Sequence, residues 1–133
     1  VITFTVNSRP VAKARARNGN DGYYTPSKTT NFEGLVAKEA IQAMKGKELL
    51  EGGLKAIIWA QFKPAKSWTK RRTEAALNGE IAHTSKPDVD NIGKAVLDAM
   101  NSIVYSDDSS IDRLEIRKSY GLEDAVSVFV EAA

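Results

Sequence analysis

The chain has 133 residues, a formal net charge of +2 and no cysteine. That length can bury one substantial core but is short for two, so a single domain over residues 1–133 is expected. Disulfides and thiolate metal sites are excluded. No apolar run has the length of a membrane span and the N-terminus carries no signal-peptide pattern, so no membrane contact and a cytoplasmic location are expected.

The small net charge hides a division. Residues 1–87 hold 15 Lys+Arg against 7 Asp+Glu, a balance of +8, and residues 88–133 hold 4 against 10, a balance of −6. Solvated surface charge accounts for such a split, and so does a polyanion gripped by one half with cations held by the other.

In chain order, "VITFTV" is rich in β-branched residues and predicts a first strand. The polar stretch from Asn7 to about Lys28 is not expected to be regular throughout. Thr30 and Glu33 form a capping-box pattern, and Phe32, Leu35, Val36, Ala40 and Ala43 follow at helical spacing, predicting a helix over 31–45 that stops at Gly46. "LKAIIWAQF" is apolar on both faces and predicts an inner strand. Helical character is expected in "KRRTEAALNGE". A helix over 91–101 follows from the stripe Ile92, Ala95, Val96, Ala99, Met100 and Ile103. "IDRLEIRKSY" and "AVSVFVEA", joined by "GLED", predict an antiparallel hairpin. The order β-α-β-α-β-β gives a small α/β or α+β domain with a mixed sheet and packed helices.

The chemistry concentrates in "HTSKPDVDNIGKAVLDAMN" and "VYSDDSS". Asp90 stands where an N-cap belongs, and in an extended approach Asp88 would share its face. Two carboxylates side by side repel unless a cation or a proton intervenes. Asp107 and Asp108 precede the strand at Ile111. Capping and turn chemistry explain each pair taken separately. If a neighbouring strand returns Asp108 beside the helix start, the converging oxygens suit Mg²⁺ or Mn²⁺. Lys94, one turn after Asp90, either pairs with Asp90 or Asp98 or reaches a phosphate. Leu97, apolar on the polar side of this helix, marks either packing or an intersubunit contact.

Two basic groups lie upstream. Lys13, Arg15 and Arg17 alternate with alanines and precede Tyr23, Tyr24 and Lys28; Lys63, Lys66, Lys70, Arg71 and Arg72 surround Trp68. Cations interleaved with aromatic rings fit a phosphate backbone and unstacked bases, although solvated basic loops are also common. Ile92 and Ala99 occupy ligand positions that an EF-hand needs, so "DVDNIG" is not a calcium loop. There is no phosphate loop and no nucleophile elbow. The single histidine, His83, rules out a His-rich zinc site and reads as a loop residue or phosphate contact.

Taken in order, "KPDVDNIGKAVLDAMNSIVYSDDSSI" and "RLEIRKSY" resemble the RusA-type Holliday-junction resolvases, small endonucleases often carried by prophages. The resemblance is strong over 86–120 and looser through "RARNGNDGYYTPSKT" and "KSWTKRR". It implies a mixed sheet with packed helices, a homodimer, and Mg²⁺-dependent paired cleavage of four-way DNA junctions in recombination and repair, with Mn²⁺ as a substitute. By position it makes Asp88, Asp90 and Asp108 metal-binding catalytic carboxylates, with Asp107 a weaker candidate, and Lys94 the essential lysine. Lys13, Arg15, Arg17, Tyr23, Tyr24, Lys28, Trp68, Lys70, Arg71, Arg72 and Lys86 are the expected DNA contacts. Gly93 and Ser109–Ser110 depart from the usual pattern without removing a functional group. The competing readings are a nuclease for other branched DNA and a junction-binding protein without catalysis.

Overall fold

The computed structural model describes residues 1–14, 17–19, 22–24 and 26–132, and of residues 17, 18, 23 and 24 it describes the backbone only. One four-stranded sheet carries the fold. Its strands are β1 (Ile2–Val6), β4 (Leu54–Phe62), β5 (Ile111–Tyr120) and β6 (Ala125–Ala132), in the spatial order β1-β6-β4-β5. β6 runs antiparallel to both neighbours, with Val128 opposite Phe4 on one side and Ile58 on the other. β4 and β5 run parallel, with Ile58 opposite Ile116. A short separate ribbon pairs β2 (Arg17–Gly19) with β3 (Gly22–Tyr24) in the stretch expected to be partly irregular.

The predicted inner strand is correct, because β4 has a partner along each edge. The predicted hairpin of the last two strands does not form, since β4 lies between them. β5 carries Arg113, Glu115 and Arg117, and a charged strand is tolerated at an edge that β4 could not occupy. The link Gly121–Asp124 is long enough to pass around the end of β4. It is tied there by Gly121 N–H to the Phe62 carbonyl (3.0 Å) and by Lys63 N–H to the Asp124 carboxylate (2.9 Å).

Alternate residues of β4, from Leu54 to Phe62, are buried under helices α1 (Ser27–Met44) and α3 (Val89–Met100). Phe32, Val36 and Ala40 of α1 meet Ala95, Val96 and Met100 of α3 over Ile2, Ile58, Val126 and Val128. Leu97 packs at the edge of this core. On the other face of the sheet Trp59 is 37% exposed, and its Nε1–H donates to Ser119 Oγ.

Helix α1 begins a turn earlier than the capping-box pattern predicts. The Pro26 carbonyl accepts the N–H groups of Thr29 and Thr30, which opens the helix at Ser27. Buried Thr29 donates its hydroxyl to the Ala12 carbonyl and accepts from Ala14 N–H, and Glu33 is drawn to Lys13. These side chains therefore bind the incoming segment 11–14 instead of capping the helix. Helix α2 (Lys70–Leu77) lies inside the stretch expected to be helical, with Thr69 as its N-cap accepting from Arg72 N–H.

Gly93 fixes how closely α3 approaches the sheet. A Cβ there would collide with the Ile116 Cδ1 methyl of β5. Helix propensity by itself favours alanine over glycine by about 1 kcal/mol, so the close approach has to outweigh that preference. We expect Gly93→Ala to destabilise the fold by about 1–2 kcal/mol in urea unfolding, as overpacked core sites do. The loss should shrink in an Ile116→Val background, which lacks the offending methyl. An equal loss in both backgrounds would show that this contact is not the cause.

Candidate metal and nucleic-acid site

Asp88, not Asp90, is the N-cap of α3, and Asp90 already sits in the first turn. The same-face relation expected of an extended pair therefore does not apply. A capping aspartate normally accepts from the backbone N–H two or three residues on. The Asp88 carboxylate makes no such bond, although its backbone is extended (φ −71, ψ 144). Asp88, Asp90 and Lys94 are all exposed, and among the described residues none of them makes an ion pair. Capping would have been a sufficient reason for an aspartate at position 88, yet the cap bond is not made. Both carboxylates stand ready beside the positive end of the helix dipole.

The second acidic pair lies elsewhere. After α3 the chain turns at Ser102, a non-glycine residue in the left-handed region (φ 67), and buries Tyr105, whose hydroxyl donates to the Leu97 carbonyl (2.8 Å). A short 3-10 turn at Asp108–Ser110 follows. It is capped by Asp107, which accepts from Ser109 N–H, and those bonds hold the Asp107 pKa below the usual carboxylate value. Burial pushes the Asp108 pKa up, and the negative charges of Asp107 and Asp98 add to it. Burial likewise raises the Tyr105 pKa, with Asp108, Asp98 and Asp107 contributing.

Asp98, Asp107 and Asp108 therefore gather at the C-terminal half of α3. The rise of an α-helix puts Asp98 about 12 Å from Asp90. The expected return of Asp108 to the helix start does not occur within one chain. The reason is direction: β5 runs back along α3 only after Asp108, so Gly93 meets Ile116 while Asp108 stays at the far end. Among the described residues no three carboxylate or imidazole side chains converge to hold a metal ion.

Lys13, expected at the DNA, is committed to acids. Its ammonium lies 2.6 Å from Glu33 and 3.4 Å from Asp98, joining α1 to α3. Burial alone would lower its pKa, but Glu33 and Asp98 outweigh that and the net shift is upward. The backbone is held as well, since Lys13 N–H donates to the Asn91 carbonyl (2.8 Å). Lys94 is thereby left without the Asp98 partner considered for it.

Beside Asp88 opens a cleft of about 500 Å³ whose walls include Arg9, Lys28, Lys86 and Asn91. Lys28 and Lys86 were expected DNA contacts. Arg9 was not, because it stands alone in the sequence and joins this wall only through the fold. Lys70, Arg71 and Arg72 are exposed on α2. Trp68 is half-buried against Tyr120, with the Arg72 guanidinium 3.9 Å over its ring. His83 is buried, stacked on Phe62 at 3.9 Å and tilted against Tyr120. Burial and then the charge of Lys118 push its pKa down, and its two ring contacts make it an anchor of the loop. Arg15 lies outside the described residues, and the side chains of Arg17, Tyr23 and Tyr24 do too.

A mixed sheet bearing α1 and α3 thus places two aspartates, unpaired among the described residues, at the mouth of α3, with cations around the adjoining cleft. Comparison with known proteins gives the family. The model of the family "Endodeoxyribonuclease RusA" matches residues 7–131. A Bacillus subtilis (strain 168) protein, "Uncharacterized protein YqaN", is 34% identical over 135 residues, covering 97% of this chain and 94% of that protein. The chain belongs to the RusA endodeoxyribonuclease family. No helix among the described residues is long and apolar enough to cross a membrane.

The raised Asp108 pKa has a sign that can be tested. A carboxyl whose pKa is raised by folding favours the fold while protonated and opposes it once ionised. Metal-free Asp108→Asn should therefore melt higher than wild type near pH 7. The difference should vanish below pH 3.8, the ordinary value, where the carboxyl is protonated in both states. Thermal unfolding at the two pH values measures this.

Proposed function

We propose that this protein is a divalent-metal-dependent endonuclease that resolves four-way DNA junctions, in recombination and repair, by paired symmetric nicks made as a homodimer. The observation that carries the reading is the Asp88 carboxylate, held at a helix mouth without its cap bond beside Asp90, which is unpaired among the described residues. Hard oxygens of this kind suit Mg²⁺, with Mn²⁺ as a substitute. When bound, the metal supplies a water of lowered pKa and neutralises charge on the phosphate.

This chain's residues then take separate tasks. Asp88 and Asp90 hold the metal from the helix side, and the helix dipole offsets part of their mutual repulsion. Lys94, exposed on the same helix, adds positive charge at the phosphate. Arg9, Lys28 and Lys86 line the approach, and the cations of α2, with Arg15, Arg17, Tyr23 and Tyr24 from the sequence around the β2–β3 ribbon, extend the grip along the arms. Trp68 acts by holding Arg72 in that surface.

One chain keeps Asp108 a helix length from Asp90, so the third carboxylate is read as reaching the metal from Asp108 of the partner subunit. A two-fold dimer supplies two such composite sites, as paired nicking requires.

The decisive experiment is cleavage of a labelled four-way junction with Mg²⁺, with flap and linear duplex DNA as controls. Asp90→Asn should abolish nicking while junction binding survives. Mixing Asp90→Asn with Asp108→Asn protomers should restore about a quarter of wild-type nicking, because half the dimers are mixed and each mixed dimer regains one intact site. No restoration would mean that each site is built within one subunit. Equal cutting by wild type and Asp90→Asn would remove the metal-carboxylate reading altogether. Lys86→Ala should weaken junction binding and flatten the log–log salt slope by about 1.

A further inference from the structure

Residues 81–87 carry the chain from α2 to the mouth of α3, and among the described residues they make no backbone–backbone hydrogen bond. The N-cap side chain does not lock the entry either. The segment passes through a cis Lys86–Pro87 peptide and is held by two side chains. His83 anchors its start between Phe62 and Tyr120. Lys118, on the helix-facing side of β5, anchors its end: its ammonium donates to the Ser85 carbonyl (2.8 Å) and the Pro87 carbonyl (3.0 Å). The second of these belongs to the peptide unit that carries the Asp88 N–H.

We propose that Lys118 is a positioning residue that sets Asp88 for the metal. It acts through the backbone and touches no reacting atom. The proposal rests on the reading of Asp88 as a metal ligand.

Three observations converge on it. Among the described residues Lys118 pairs with no carboxylate, so its ammonium is held by carbonyl oxygens. Charge-assisted bonds of that kind are roughly twice as strong as neutral ones. Its charge is also felt at His83, which places it at both anchors of the segment. Finally, it projects from a strand that Gly93 allows to lie close under α3, so clamp and helix share one rigid support. Residues that orient a metal ligand typically change metal affinity or activity by about 10–100-fold when removed.

The test uses the full chain and compares wild type, Lys118→Met, which keeps the aliphatic stem but has no donor, and Lys118→Arg, which keeps charge and donors. Mn²⁺ affinity is read by calorimetry, junction binding in EDTA by gel shift, folding by urea unfolding, and nicking across a Mg²⁺ titration. We expect Lys118→Met to bind Mn²⁺ about tenfold more weakly, with nicking shifted to higher Mg²⁺ and junction binding in EDTA unchanged. Lys118→Arg should recover most of the Mn²⁺ affinity. Wild-type Mn²⁺ affinity in Lys118→Met would overturn the proposal, and so would an Arg variant no better than Met. Should Lys118→Met fail to fold, Lys118→Gln, which keeps an uncharged donor, takes its place and must bind Mn²⁺ less tightly than wild type. A wild type that neither binds Mn²⁺ nor nicks the junction would instead defeat the metal-carboxylate reading, and the wild-type arm shows that separately.

Discussion

The close seating of α3 on β5 is the constraint on which the site depends. It is possible because residue 93 has no side chain where the Ile116 methyl stands. A helix held that closely has its N-terminus beside Lys118 and Tyr120 and its C-terminus beside the turn of Asp107 and Asp108. Asp88 is thereby brought within reach of a clamp from the sheet, while the second acidic pair is kept a helix length away.

The same geometry divides the charges into tasks. Lys13 is drawn in between Glu33 and Asp98 and holds α1 to α3. It offsets the charge of Asp98, while burial and then the charges of Asp107 and Asp98 push the Asp108 pKa up. Arg9, Lys28 and Lys86, far apart in the chain, come together around the cleft at Asp88. A basic wall then faces an acidic helix mouth, so the cations can attract a phosphate that the carboxylates by themselves would repel.

Among the described residues no three carboxylates are placed to hold a metal ion, yet the core is closed without one. Its core is closed by α1 and α3 over one face of the sheet, and nothing in that core requires a metal. Folding and site assembly are therefore separable. Asp88→Asn and Asp90→Asn are expected to spare the fold for the same reason: both carboxylates are exposed and unpaired among the described residues.

What the sequence determined by itself was local and chemical. The stripe of Ile92, Ala95, Val96 and Met100 defined the helix, the apolar run 54–62 defined an inner strand, and the D-x-D and D-D spacing pointed to the family. These signals depend on side chains a few residues apart, which periodicity records. Long-range matters were decided by the tertiary structure. The last two strands looked like a hairpin because they are adjacent in sequence, but β4, with apolar side chains on both faces, took the place between them. Lys13 looked like one more cation of a basic stretch, and only the packing of α1 on α3 showed that its charge is already matched. Lys118 and Arg9 had no local signature, because a lysine that holds two carbonyls thirty residues away is defined by where a strand passes and not by its neighbours in the chain.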